Sequence, residues 1–403
     1  MGADEVRQLS LTKTTKQSLL SLVFNIGGIL AGAMVVASLG LFSREPWIIA
    51  LYPGILTVRG VIGGLFAGHL GTGLHLGTIP TSLFGENTRR FYSLWGSIVV
   101  LTFESSILLG FAAVLFGTVF LGVNISSILV IFGTLLATMG LSILVISPLT
   151  IAIAFSSFRK GLDPDIVVYP IESTMADILV TLCYTVVLNT LFFSSLGWIV
   201  VALVSVAFVC VILIILRKNR KDTEFLRTVK ESLYMLLIVS VIVNITGAML
   251  SRIGESMGHK PEIYVTYPAL IDTMGDVGAI VGSTATTKLA LGTMDSSLKA
   301  IKNHRNQIAG AWLASAVMYV VYALISCFYQ ASIGFSTLRF VGLLLATNVF
   351  AAIFMICISL SIAILAFHEG LNPDNFVIPI ESSLADTITT VSLLVMLGLF
   401  GGF

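Results

Sequence analysis

Two acidic residues recur in this chain, each time inside the same short motif. Residues 161–177 read GLDPDIVVYPIESTMAD and residues 370–386 read GLNPDNFVIPIESSLAD, with eleven of the 17 positions identical. A carboxylate at membrane depth costs about 3 kcal/mol unless a partner or an ion compensates it. The repetition therefore predicts one cation site built from two related halves. Its carboxylates are Glu172 and Asp177 in the first copy and Glu381 and Asp386 in the second.

The side chains around these acids offer only oxygen atoms as ligands. Carboxylates and hydroxyls suit Mg²⁺, Ca²⁺ or Mn²⁺, and Mg²⁺ can stay largely hydrated while carboxylates bind its waters. A two-fold arrangement of the halves predicts that Asp177 faces Asp386, with the glutamates at a second level nearer the cytoplasm. The alternative is that the acids only cap helices or pair with basic residues, which fits the glutamates better than the aspartates. The predicted ligands are Asp177, Asp386, Glu172, Glu381, Ser173 and Ser382.

The charges on the second helix of each half are not repeated. Arg59 stands in the first half, whereas Asp272 and Asp276 occupy the positions equivalent to Thr57 and Val61 in the second. The two aspartates are four residues apart, so they share one helix face. Because an unpaired arginine inside a membrane is costly, we expect Arg59 to pair with Asp272 or Asp276. The alternative makes Asp276 a direct metal ligand.

The composition is that of a membrane protein. The chain has 403 residues, of which 56% are hydrophobic and 11% charged, and its mean hydropathy is +1.00. Soluble domains carry about 25% charged residues. The net charge of +1 disfavours nucleic acid as a partner, and the expected surroundings are a lipid bilayer. We expect that the chain is not an enzyme, because its sequence contains no histidine-based metal motif and no nucleophile–base arrangement.

Apolar runs long enough to cross a bilayer predict eleven transmembrane helices. With the N-terminus in the cytoplasm, sixteen basic residues fall in inside segments and four in outside segments. This bias predicts a multi-pass cell-membrane protein with a cytoplasmic N-terminus and its C-terminus outside. The predicted spans are roughly 18–42, 47–70, 91–121, 126–157, 170–193, 196–216, 230–251, 263–290, 306–331, 337–367 and 379–402.

An internal repeat accounts for the odd number of spans. Tyr52-Pro53 aligns with Tyr267-Pro268, 215 positions later. Five crossings reverse sidedness, so a sixth must restore it before the second repeat begins. The sequence therefore predicts an all-α fold of two parallel five-helix repeats joined by one linking helix. The predicted parts are a cytoplasmic N-terminal segment (1–17), a first repeat (18–193), a linking helix with a basic loop (194–229) and a second repeat (230–403).

These motifs carry a family resemblance over nearly all of both halves. The pattern Asp163-Pro-Asp…Pro170…Asp177, its second copy Asn372-Pro-Asp…Pro379…Asp386, and the glycine-rich second helix resemble the membrane domain of MgtE-type magnesium channels. Two such domains in one chain are similar to solute carrier family 41 and its archaeal relatives. The resemblance implies a single-chain pseudo-dimer with a Mg²⁺ pathway on its pseudo-two-fold axis. The family's membrane aspartate corresponds to Asp177 and Asp386.

The resemblance leaves regulation and coupling open. MgtE proteins carry cytosolic regulatory domains that sense Mg²⁺, and we expect none in this chain. Gating by intracellular Mg²⁺ then comes from a separate cytosolic regulatory protein, comes from the pore itself, or does not occur. The expected function is a channel or transporter for divalent cations, most simply Mg²⁺. The alternative is a secondary transporter coupled to Na⁺ or H⁺, either a cation exchanger or a carrier of an anionic substrate held by Arg59.

Overall fold

The structure is a computed structural model, and it consists mainly of long helices. It describes residues 11–82, 87–120, 122–124, 127–160, 164–194, 196–257, 261–290, 294, 304–329, 335–368 and 373–400. Within these ranges, only the main chain is described for some residues, chiefly 164–170, 252–257 and 373–382. The described residues contain no strand, in agreement with the expected all-α class.

The first predicted span is interrupted, whereas the others are single helices. Helix α1 (Leu11–Leu22) runs through a 3₁₀ turn (Val23–Ile26) into α2 (Gly27–Ala37), and the short α3 (Leu39–Phe42) follows. The remaining helices are α4 (Pro46–His75), α5 (Arg89–Phe120), α6 (Ile128–Arg159), α7 (Pro164–Phe193), α8 (Gly197–Asn219), α9 (Thr223–Met257), α10 (Pro261–Ala290), α11 (Arg305–Tyr329), α12 (Phe335–His368) and α13 (Pro373–Leu399).

Prolines start the two helices that carry the repeated acids, but not at the expected residues. Helices α7 and α13 begin at Pro164 and Pro373, and proline suits a first turn because its missing N–H has no helical partner there. Pro170 and Pro379, at which the predicted spans 170–193 and 379–402 begin, are each the seventh residue of their helix. Glu172 is therefore the ninth residue of α7, beyond the turn in which the helix dipole stabilises a negative charge.

Many of the helices have the length and apolar character of membrane spans, so the chain is a multi-pass membrane protein. Phe193 is 91% exposed and Leu129 is 84% exposed, as expected of side chains that face lipid. Two shorter apolar stretches lie in α9 (Leu236–Ser251) and α13 (Ser383–Leu399). The count of eleven crossings stays a prediction. In the described part of the chain, eight segments qualify: Leu11–Ala37, Pro46–Leu74, Arg89–Val119, Ile128–Arg159, Ile171–Phe193, Gly197–Asn219, Arg305–Tyr329 and Thr337–Leu365.

The compact units of the structure differ from the sequence repeats. Unit 1 comprises Met1–Ala33 and Arg252–Phe403, and unit 2 comprises Met34–Ser251. Most of the first helical segment (α1 and α2) thus belongs with the helices of the second repeat, and α9 up to Ser251 belongs with those of the first. Each unit therefore combines segments from both predicted repeats, 18–193 and 230–403. Sequence similarity identifies equivalent segments, but packing decides which of them share a core.

Two equivalent glycines show this exchange of first helices. In unit 1, a Cβ at Gly32 would overlap the main-chain carbonyls of Tyr264 and Val265. In unit 2, a Cβ at Gly247 would overlap the carbonyl of Ala50. Gly247 is the counterpart of Gly32, and Val265 is the counterpart of Ala50, each 215 positions later. Only glycine allows so close an approach of two helix backbones, so the same crossing is built in each unit.

Candidate functional site

Asp177 lies where the second and fifth helices of the first repeat pack together in unit 2. Its side chain is only 7% exposed. One turn further along α7, the Thr181 hydroxyl donates to the main-chain oxygen of Asp177 at 2.6 Å. The same hydroxyl lies 3.0 Å from the Tyr52 hydroxyl of α4. A hydrogen-bonded chain thus fixes α4 against α7 one turn from the acid.

The same arrangement occurs around Asp386 in unit 1. Asp386 is 6% exposed, and the Thr390 hydroxyl donates to its main-chain oxygen at 2.6 Å. Thr390 Oγ1 lies 2.8 Å from the Tyr267 hydroxyl of α10. The two units therefore carry one motif of tyrosine, threonine and aspartate with matching bonds and burial. This motif links the second and fifth helices in both units.

No role for the tyrosines and threonines of this motif was predicted from the sequence. A signal was present, because both Tyr-Pro pairs align and each aspartate is followed by threonine four residues later. That spacing puts the threonine over the main-chain oxygen of the aspartate. What the sequence could not show is that the tyrosine hydroxyl reaches that threonine.

Arg59 pairs with Glu172, which corrects the expected pairing with Asp272 or Asp276. Its Nη2 lies 3.1 Å from Glu172 Oε1, and the two side chains are 1% and 2% exposed. The contact lacks the alignment of a hydrogen bond, and Arg59 Nε and Nη1 have no hydrogen-bond partner among the described residues. The pair is therefore held by charge. Glu172 needs this cation because it lies beyond the reach of its own helix dipole.

Gly63 makes room for the buried carboxylate. It lies one turn after Arg59 in α4, and a Cβ there would overlap both carboxylate oxygens of Glu172. By contrast, a Cβ at Gly60 would meet no atom within 4 Å. The expected glycine-rich character of this helix thus has a local purpose at Gly63.

Asp276 contacts the first helical segment through an amide. Asn25 Nδ2 donates to Asp276 Oδ2 at 2.8 Å and lies 3.3 Å from Thr273 Oγ1. Thr273 Oγ1 in turn lies 2.7 Å from the Tyr322 hydroxyl of α11. The carboxylate therefore sits in a network of oxygen and amide groups within unit 1.

The remaining predicted ligands are described only in part. Ser173 lies partly buried in α7. The side chains of Glu381 and Ser382 lie outside the described part of the structure, as do the loop residues Asp163 and Asn372. Among the described residues, no group of three or more histidine, cysteine, aspartate or glutamate side chains could hold a metal ion. Of the described acids, Glu172 pairs with Arg59 and Asp276 accepts a hydrogen bond from Asn25.

Comparison with known proteins identifies relatives over most of the chain. The MgtE family, described as divalent cation transporters, matches twice, over residues 52–187 and 267–396. Solute carrier family 41 member 3 of Rattus norvegicus is 20% identical over 404 residues, covering 94% of this chain and 86% of the relative. The Mus musculus protein of the same name is 21% identical, covering 85% and 73%. No solved structure matches the chain.

The two matched segments contain the motifs described above. The first includes Tyr52, Arg59 and Asp177, and the second includes Tyr267 and Asp386. Each match begins at the tyrosine of the second helix, so it leaves out the first helices that the two units exchange. With two matches that together span most of its length, the chain belongs to the MgtE family of divalent cation transporters.

Proposed function

We propose that this protein carries Mg²⁺ across the membrane along a pathway lined by Asp177 and Asp386. The observation that supports this most is the matching motif of tyrosine, threonine and aspartate in the two units. The two aspartates are also buried to the same degree, at 7% and 6% exposure. A site that takes one carboxylate from each half requires the same surrounding in both.

The chemistry of these positions suits a hydrated divalent ion. Mg²⁺ dehydrates reluctantly and is held through one or two carboxylates with several waters retained. A carboxylate contributed by each half would offset the dielectric barrier that the ion meets inside the membrane. Ser173, Ser382, Glu381 and Asp276 are the further proposed contributors. Glu172, which we also expected to be a ligand, is paired with Arg59 instead.

Neutralising the aspartates tests this proposal. We expect Asp177→Asn and Asp386→Asn each to lower Mg²⁺ uptake into proteoliposomes about tenfold, because the remaining carboxylate still attracts the ion. The double variant should abolish uptake, because no carboxylate is left to offset the dielectric barrier. Asp222→Asn is the matched control, since Asp222 is a loop acid that pairs with the exposed Arg89. Uptake near the wild-type rate in a folded double variant would contradict the proposal.

Coupled cation exchange is a second candidate, supported by the network around Asp276. An aspartate with amide and hydroxyl neighbours can hold Na⁺ or a proton while the ion pathway itself handles Mg²⁺. The pairing of Arg59 with Glu172 weighs against the other form of this candidate, an anion carrier. The same proteoliposomes distinguish the two: an imposed Na⁺ or pH gradient drives Mg²⁺ flux in a coupled exchanger and leaves a channel unaffected.

The setting of the proposed pathway follows from the chain's charges. We propose a cell-membrane location with the N-terminus in the cytoplasm, because basic residues gather on that side. We also propose that the chain works as a pseudo-dimer by itself, since each unit already holds one copy of the motif. Regulation by a separate cytosolic protein remains part of this proposal.

A further inference from the structure

The arginine of the buried pair with Glu172 has no counterpart in the second half of the sequence. The residue equivalent to Arg59 in the second half is Met274, 215 positions later. The second half instead carries Asp272 and Asp276 on the corresponding helix. The second helix is thus more acidic in the second half than in the first.

Glu172 is enclosed so completely that its partner excludes other cations. Both side chains are almost without exposure, and the carboxylate sits directly on Gly63. A guanidinium at 3.1 Å supplies the positive charge that a bound cation would otherwise supply. Because Arg59 is attached to α4, this cation cannot leave.

We propose that Arg59 is a tethered counter-cation that withholds Glu172 from ion binding, so that of the two repeated acids in the first half only Asp177 remains for the transported ion. This inference rests on the proposed cation pathway and makes it asymmetric. Arg59 thereby limits the number of cations held along the pathway. It acts as a specificity-determining residue without touching the transported ion.

The proposal predicts that removing Arg59 creates a cation site. Arg59→Met leaves Glu172 without its counter-charge, and we expect this variant to melt at a lower temperature in the absence of ions. Added Mg²⁺ should then raise its melting temperature about twice as much as it raises that of the wild type, because a second site adds its own linkage term. Mn²⁺ and Na⁺ are tested in the same way.

The double variant Arg59→Met/Glu172→Gln provides the decisive comparison. It removes both charges, so we expect it to fold even if Arg59→Met does not, and to show the wild-type response to Mg²⁺. Arg59→Lys, which keeps the charge, should also respond like the wild type. If the double variant responds less to Mg²⁺ than the wild type, Glu172 is itself a ligand and the inference is wrong. A folded Arg59→Met variant with an unchanged response would overturn it equally.

Asp177→Asn/Asp386→Asn, measured in parallel, separates this inference from the proposed function. Loss of the Mg²⁺ response in that variant supports the pathway and says nothing of Arg59. An unchanged response there, together with a Glu172-dependent gain in Arg59→Met, would refute the proposed pathway and retain the counter-cation.

Discussion

Tyr52 and Tyr267 each join a second helix to a fifth helix near a candidate ion ligand. Their hydroxyls contact Thr181 and Thr390, whose own hydroxyls already bond the main chain of the aspartate one turn away. Both tyrosines are almost fully buried, at 2% and 1% exposure. A buried polar contact between helices contributes more to orientation than to total stability. We therefore regard the tyrosines as residues that hold the aspartates in place.

Removal of either tyrosine hydroxyl should have the same modest effect. We expect Tyr52→Phe and Tyr267→Phe each to lower the free energy of unfolding by about 1 kcal/mol, the usual net worth of one hydrogen bond. Half-maximal Mg²⁺ uptake should shift to higher concentration in both. Thermal melting and uptake measure these changes, with Tyr92→Phe as control because Tyr92 is 43% exposed. A large effect in only one of the two would show that the motif is not equivalent in the two units.

At the scale of helices, close crossings of the first and second helices are built from small residues. Gly32 and Gly247 meet main-chain carbonyls directly. One turn away in unit 1, a Cβ at Gly28 would lie 2.8 Å from the main-chain nitrogen of Ala269. These contacts place backbone against backbone, where no side chain can yield. The sequence displays the glycines but not which helix each of them meets.

Alanine at these crossings should destabilise the protein. We expect Gly32→Ala and Gly247→Ala each to cost about 1–3 kcal/mol, because an added methyl must push two helices apart. Gly60→Ala is the control, since a Cβ there meets nothing within 4 Å and alanine favours a helix by about 1 kcal/mol over glycine. The measurement is thermal unfolding in detergent. Equal stability of all three variants would refute the close crossing.

Over the whole molecule, each compact unit depends on a helix from the other sequence repeat. Helix α9 falls in the predicted second repeat, yet up to Ser251 it belongs to unit 2. Its residues Leu236, Val243 and Leu250 are fully buried. Unit 1 likewise contains α1, with Thr14 against Gly310 of α11. The connection between α8 and α9, near Asp222, therefore does not separate two bodies that could each fold with a complete core.

Cutting the chain at that connection tests the exchange of helices. Two fragments, residues 1–221 and 222–403, should copurify in mild detergent when expressed together, since each lacks a helix that its unit needs. Expressed alone, each should be unstable or associate with a second copy. A version cut at 193, which keeps α8 with the second fragment, serves as a comparison and should also copurify. Fragments that separate freely, each with the wild-type melting temperature, would contradict the exchange.

The sequence alone determined the membrane class, the duplicated acidic motif and the approximate position of most helices, because hydropathy and repetition are properties of the chain itself. Predicted spans such as 263–290 and 306–331 fall within two residues of α10 and α11. The start of α13 was predicted six residues late, since Pro373 and Pro379 both suit a helix start and membrane helices tolerate an internal proline.

Only the tertiary structure decided the partner of Arg59 and the membership of the first helices. A buried arginine requires an acid at its own depth, and several acids in the sequence met that condition. Which of them lies within reach depends on how α4 packs against α7, where Gly63 leaves space for Glu172. The exchange of first helices has the same origin. Two repeats with similar sequences offer similar surfaces, so a helix can pack with either repeat, and the connections and backbone contacts decide which.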